Sequence, residues 1–352
     1  MPPKKGAKKD NTALLALKRD LNEGTIGNLY VFHGEEAFLR TDYFRRLKQA
    51  LLPAGLEDFN LHTAQGKGCS VEWIAQAVDC LPMMSQRTLV AVTDFDLAGL
   101  GENQRAHLAD VLSNLPDYCC LVFVYDLLAY KLDGRSKLAA LLKSKGSIVE
   151  FQRQSHKDLA IWVDRQFKAE GKSISREDAQ YLIFLCGDLM SGLSSEIGKI
   201  AAYAVQPRIA RTDIDAVAMP LIDVKVYQMT DAIAKKNFDK AASVLVELLQ
   251  DQQSPGYILA VMGKYFRQLY TARLLRERGL GQRELMDLWE MRYDFQAANL
   301  MNAAAGFSLV WCRHAVRRCA EAELALRGSY GRESELLTGL LMELAAGRRV
   351  AV

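Results

Sequence analysis

The chain has 352 residues, half of them hydrophobic and a quarter charged, with a net charge of +3. That length supplies two or three domains with real cores, in an ordinary soluble globular composition. So small a positive balance does not by itself imply nucleic acid, and no apolar run reaches the roughly 18–20 residues that span a bilayer.

Residues 1–10 (MPPKKGAKKD) read as a basic tail bearing proline and glycine, expected to be disordered. No signal-peptide apolar region follows, so a cytoplasmic location is expected. The seven cysteines stand at 69, 80, 119, 120, 186, 312 and 319 without a C-x-x-C pair. Free, mostly buried thiols in a reducing compartment fit this pattern better than a zinc ribbon or a redox pair.

Asn11 and Thr12 can cap a helix to about Leu21, closed by Gly24 and Gly27. Leu29–Phe32 is a compact apolar strand, followed by His33-Gly34-Glu35-Glu36 and a helix to about Leu51. Asp58–Thr63 reads as a second strand. Ser70 caps a short amphipathic helix in which Val71, Ile74, Ala75 and Val78 recur at helical spacing. That helix runs into Cys80-Leu81-Pro82-Met83-Met84, and proline stops it by removing a donor and disfavouring helical geometry at the residue before. Ser85-Gln86-Arg87 leads into the strand Thr88–Val92. A helix over Glu102–Leu115, a strand over Cys119–Tyr125 and a last strand over Ser147–Phe151 complete an α/β domain spanning 11–152. Continuous apolar strands separated by helices indicate a parallel sheet covered on both faces.

From Ser155 onward the pattern is helical. Helices near 156–170, 176–186 and 188–204, with a capped turn at Thr212–Val217, make a small helical lid over 153–219. Beyond Pro220 come helices near 224–235, 238–251, 255–278, 282–289, 294–303, 308–327 and 332–346. They show no fixed-period repeat, so 220–352 reads as a globular helical domain rather than a solenoid.

An α/β domain followed by a helical lid is the outline of an oligomeric ATPase, which makes the turn after the first strand decisive. A phosphate loop would read G-x-x-x-x-G-K-S/T there, with backbone amides and a lysine on the phosphates. The chain gives Gly34-Glu35-Glu36-Ala37-Phe38-Leu39 instead. Two carboxylates stand where phosphate oxygens need donors, and the second glycine and the lysine are missing, so nucleotide binding is not expected. Glu35 and Glu36 read either as acid/base groups or, more simply, as acids at a helix N-terminus. Five scattered histidines show no metal-ligand spacing, and there is no nucleophile elbow. No cofactor and no catalysis by this chain alone are expected.

Three features remain. Leu81, Pro82, Met83 and Met84 place flexible apolar side chains in a turn, where they either tuck under the domain or fit an adaptable pocket on a partner. Lys131-Leu132-Asp133-Gly134-Arg135-Ser136-Lys137 is a basic segment, read either as a solvated loop and helix start or as a contact to DNA or a neighbouring subunit. In the C-terminal part Arg313, Arg317, Arg318, Arg327 and Arg332 surround Tyr330, which sits between two glycines. The tyrosine packs the helix hairpin, or it stacks on a base while arginines meet phosphates.

These residues also carry a resemblance. The segment Leu29–Leu39, the Leu81–Val92 stretch, Lys131–Leu138, Gly187-Asp188-Leu189 with Glu196–Tyr203, Val226–Ile233 with Tyr265–Leu269, and Glu323–Leu326 together resemble the delta subunit of bacterial DNA polymerase III, part of the sliding-clamp loader. Each motif is weak alone; their order and spacing over nearly the whole chain are specific. The resemblance implies an AAA+-like N-terminal domain without a working nucleotide site, a lid, and a C-terminal collar joining a circular pentamer. It implies partners: the beta sliding clamp, the gamma/tau ATPases and delta-prime through the collar, and primer–template DNA. It places the clamp-opening wedge at Leu81, Pro82, Met83 and Met84, where the family's usual wedge resembles Leu-Pro-Phe-Phe-Ser. Methionine fills pockets adaptably but offers less rigid area than phenylalanine.

The expectation is thus a non-catalytic subunit of a nucleotidyltransferase complex, working in the cytoplasmic, nucleoid-associated replisome, with Tyr330, Arg327, Arg332 and Arg317 as candidate DNA contacts. The competing readings are an ATP-hydrolysing motor with a degenerate phosphate loop and a stand-alone nucleic-acid-binding protein.

Overall fold

The computed structural model describes residues 12–134, 136–291, 293–328 and 332–346; the expected basic tail lies outside them. Two compact units emerge. One runs to Ile183 and takes in Gly187–Val217; the other takes Phe184–Cys186 and the described residues from Ala218 on. Among the described residues no helix is long and apolar enough to cross a membrane.

The first unit begins with α1 (Thr12–Glu23), β1 (Leu29–His33), α2 (Ala37–Leu51), α3 (Glu57–Asn60), β2 (Leu61–Gln65), α4 (Val71–Asp79) and β3 (Thr88–Thr93). It continues through α5 (Glu102–Ser113), β4 (Cys119–Val124), α6 (Lys137–Lys145) and β5 (Ser147–Glu150). The five strands form one parallel sheet in the order β2-β3-β4-β1-β5, as the apolar runs require. Side chains alternate between its faces. Leu29, Val31, Val90, Val92, Leu121 and Phe123 meet Ile74, Leu108 and Leu142 on one side. Tyr30, Phe32, Leu89 and Val122 meet Leu17 and Leu47 on the other. Both faces are dry at β1, β3 and β4, which explains why those strands read as near-continuous hydrophobic runs, whereas the edge strand β2 is partly exposed.

One strand boundary differs from expectation. Asp58–Asn60 belong to the helical turn α3, and β2 starts only at Leu61. Glu57 and Asp58 stand in the first turn of α3, where acids favour the helix N-terminus. Asn60 closes the turn with its side chain wholly buried.

The unit ends with α7 (His156–Ala169), α8 (Arg176–Cys186, whose last residues go with the second unit), α9 (Met190–Tyr203) and α10 (Arg211–Val217). Ser155 and Ser175 cap α7 and α8 by accepting from the amides of Asp158 and Asp178. Val163, Phe167, Leu193, Ile197 and Ile200 are buried among these helices.

The second unit holds α11 (Ile222–Ala234), α12 (Phe238–Gln250), α13 (Pro255–Glu277), α14 (Gln282–Trp289), α15 (Asp294–Ala304), α16 (Leu309–Leu326) and α17 (Glu333–Ala346). Pro255 opens α13, where its missing N–H costs no helical bond. Ile258, Met262, Phe266, Leu269, Ala272 and Leu275 bury that helix at the centre of the core. Phe184 meets Tyr227 and Phe295 edge-on, with ring centroids 5.9 and 5.0 Å away.

Candidate functional site

The turn between α4 and β3 carries the expected apolar residues outward. Ser70 caps α4 by accepting from the Trp73 amide at 3.2 Å, and the helix ends at Asp79 ahead of Pro82. Leu81 is 71% exposed, Met83 56% and Met84 87%, with Pro82 half-buried. The packing alternative, in which these side chains tuck under the domain, is therefore not the arrangement seen. Met84 has φ of +52°, a left-handed conformation uncommon and strained for a residue with a side chain.

The backbone beneath this apolar tip is tightly held. Asn60 Nδ2 donates to the Met83 carbonyl at 2.9 Å, and Asn60 Oδ1 accepts from the Met83 amide at 2.8 Å. The second Nδ2 hydrogen goes to the Leu56 carbonyl at 2.9 Å. On the other flank Ser85 Oγ accepts from the Arg87 amide and donates to the Arg87 carbonyl. Arg87 in turn donates to the carbonyls of Ile26, Gly27 and Cys119 and to Asn28 Oδ1. An open groove of about 610 Å³ runs beside the turn, lined by Gln49–Pro53 and by Met84, Ser85 and Gln86.

The turn after β1 is closed rather than open. Gly34 has φ of +120°, and the Glu36 amide donates to the Phe151 carbonyl at 3.0 Å. Arg40, buried on α2, donates to the Gly34 carbonyl at 2.7 Å and pairs with Asp126 in the loop after β4. That loop is gathered on Asp94, which accepts from the amides of Asp126, Leu127 and Leu128 at 2.8, 3.0 and 2.9 Å.

The two glutamates of this turn have separate fates. Glu35 is exposed and receives Arg153 Nε at 2.7 Å, while Arg153 also donates to Asp188 at 2.9 Å. Glu36 is wholly buried, and neither carboxylate oxygen completes a hydrogen bond. Burial pushes its carboxyl above the ordinary value, an effect that the nearby amides of Met190 and Phe38 and the charge of Arg153 only partly offset. A phosphate at this corner would meet a buried acid and an exposed one in place of donors. The residues do not fit a nucleotide.

Of the basic segment, Lys131, Asp133 and Gly134 are exposed in a loop whose Leu132 packs against the core, Ser136 caps α6 by accepting from the Ala139 amide, and Arg135 lies outside the described residues. In the second unit Arg317 is exposed on α16 and donates to Glu321 at 2.7 Å. Arg327 follows α16 and Arg332 precedes α17, both exposed, while Tyr330 lies outside the described residues. The histidines are dispersed, and among the described residues no group of three or more His, Cys, Asp or Glu side chains is placed to hold a metal.

Sequence reading missed Asn60 and Arg87. Asn60 was hidden by the strand assignment over Asp58–Thr63; its burial at the end of an acidic turn has no sequence signature. Arg87 stood in view between a polar turn and a strand, a position where a long donor can reach neighbouring loop carbonyls.

Comparison with known proteins bears on both units. The family model of the DNA polymerase III delta subunit matches residues 30–152, and that of its C-terminal domain matches 223–344. The DNA polymerase III subunit delta of Bacillus subtilis is 22% identical over 333 residues, 93% of this chain and 95% of that protein. A probable DNA polymerase III subunit delta of Aquifex aeolicus is 26% identical over 275 residues, 76% of this chain and 77% of that one. Among solved structures, the Bacillus subtilis DNA clamp loader delta protein superposes with a TM-score of 0.52 at 20% identity, covering 95% of this chain and 99% of the other.

Proposed function

Because the chain belongs to the DNA polymerase III delta subunit family, we propose that it binds the beta sliding clamp and opens it for loading on primed DNA. The observation that carries this reading is the Met83–Met84 turn, two exposed thioether side chains on a backbone fixed from both flanks. A rigid support with a flexible apolar tip suits insertion into a pocket on another protein. Opening follows if the turn binds the open form of the clamp more tightly than the closed one, since a ligand shifts an equilibrium only by its differential affinity.

In this reading the residues 220–352 form the collar that joins the gamma/tau ATPases and delta-prime, and 153–219 form the lid. ATP bound by those neighbours, not by this chain, reorients it so that the already exposed wedge reaches the clamp. The closed corner at Gly34 and Glu36 supports a subunit without hydrolysis of its own and speaks against a degenerate motor. Tyr330, Arg327, Arg332 and Arg317 are proposed to meet primer–template DNA within the assembled complex, which operates in the cytoplasm.

The test is clamp affinity of a Met83→Ala/Met84→Ala variant by surface plasmon resonance. Binding is expected to be abolished while the thermal melt and collar assembly are unchanged. Wild-type affinity in that variant would sink the proposal.

A further inference from the structure

We propose that Asn60 is the positioning residue of the wedge, holding the Met83–Met84 turn in its presenting conformation before any clamp is bound. The inference rests on the reading that this turn engages the clamp, and it adds the group that shapes it.

The side chain of Asn60 acts here as a substitute strand. An asparagine amide carries one acceptor and two donors in a plane, so it can match the N–H and C=O of a neighbouring peptide and still have one donor left over. Asn60 spends both donors, on the Met83 and Leu56 carbonyls, and its acceptor on the Met83 amide. The residue is wholly buried, so water does not compete for these groups. One side chain thus ties the wedge to α3, 23 residues earlier in the chain.

The next residue shows what the tie resists. Met84 holds φ of +52° while 87% exposed, so its own side chain packs against little that would enforce this conformation. Such backbone persists only when its surroundings over-determine it. Those surroundings are Asn60 on Met83 and the Ser85–Arg87 hydroxyl bridge on the far side. With the Asn60 end released, the turn samples many conformations, and the cost of ordering it moves to the moment of binding. Backbone ordering of one to two residues corresponds to about a 10- to 100-fold loss of affinity.

The experiment compares the full chain with Asn60→Ala, Asn60→Asp and Met83→Ala/Met84→Ala. Clamp affinity is read by surface plasmon resonance, and hydrogen exchange of the Met83 amide is read in the free protein. The expected result is a protected Met83 amide in the wild type that exchanges freely in Asn60→Ala, with clamp binding weakened about 10- to 100-fold. Asn60→Asp keeps the shape and the acceptor but loses both donors, and is expected to weaken binding while still folding. A purely structural role would lower the melting temperature without selective exposure of the Met83 amide. A Met83 amide that exchanges freely in the free wild-type chain overturns the inference. So does wild-type affinity in either Asn60 variant when Met83→Ala/Met84→Ala has lost binding; in that case the clamp reading stands. If the methionine variant itself binds normally, the clamp reading falls first.

Discussion

A Cβ placed on Gly34 would stand 2.4 Å from the carbonyl oxygen of Phe151 and 2.7 Å from its nitrogen. The turn after β1 is therefore pressed against the backbone leaving β5. Phe151 donates its amide to the His33 carbonyl at 2.7 Å, so the two chains are zipped together at the point where a phosphate loop would need room. In open α/β sheets ligands settle in the crevice beyond the carboxyl ends of the strands. Here the chain's own Glu36 and Arg40 are buried at that end of the sheet, with Arg40 paired to the exposed Asp126.

Gly34→Ala is expected to be strongly destabilising. The substitution forces a side chain onto φ of +120° and into the backbone of Phe151, neither of which yields by rotating a side chain. A loss of about 2–4 kcal/mol follows from backbone strain and clash together. Thermal or urea unfolding measures it, and a melt unchanged from wild type contradicts the close approach.

Glu36→Gln is expected to raise the melting temperature near neutral pH, each kilocalorie gained counting for roughly 2–4 °C in a unit of this size. Burial raises the carboxyl pKa of Glu36 in the folded state. Below the ordinary carboxylate range both states are protonated, and the contribution of this proton to stability is fully present. As pH rises, the unfolded chain releases its proton first, and stability falls until the raised folded value is passed. The glutamine variant removes that decline, so its advantage shrinks on acidification towards pH ~4. Parallel melts across pH check the crossover; an advantage independent of pH argues against a buried charge.

Much of this was legible in the sequence, for identifiable reasons. Leu89 with Val90 and Leu121 with Val122 announced a sheet covered on both faces, because adjacent strand residues pack on opposite layers that are both dry. Gly34-Glu35-Glu36 placed two acids at a turn where a phosphate would need donors, because charge sign is visible without geometry. The turn at Met83 and Met84 was visible because proline ends α4 and leaves apolar residues in a loop. What the sequence hid were long-range partners. Asn60 meets Met83 across 23 residues and Arg87 meets Ile26 across 61, and no local pattern encodes either bond.

The cysteines give an independent check on the exposed turn. Cys80, beside Leu81, is exposed, whereas Cys69, Cys119, Cys120, Cys312 and Cys319 are buried. Burial pushes the Cys69, Cys119 and Cys312 thiols up to about 11 and those of Cys120 and Cys319 to about 12, which keeps them as unreactive thiols near pH ~8. Ellman's reagent is expected to titrate Cys80 first, the half-buried Cys186 more slowly, and the rest only after unfolding. Bound clamp is expected to shield Cys80. If Cys80→Ser retains the fast equivalent, the assignment is wrong.

The arginines of the second unit are not equivalent, and the DNA reading makes that measurable. Arg317 already donates to Glu321 at 2.7 Å, so part of its charge is met within the protein. Arg318 is likewise engaged, by Glu321 and Glu343. Arg327 and Arg332 are exposed and flank Tyr330 in the sequence. Each arginine that meets a phosphate of duplex DNA contributes about 0.9 to the slope of log affinity against log salt. Replacing Arg327 and Arg332 together by alanine is expected to lower that slope by about 2 for the assembled loader on primer–template DNA, and Arg317→Ala by less than 1. Tyr330→Ala is expected to weaken the stimulation of loading by DNA while leaving the slope and the clamp affinity intact, because stacking carries no counterion release. Titrations at several salt concentrations separate the two effects. A slope unchanged in the double arginine variant removes these residues from the DNA interface.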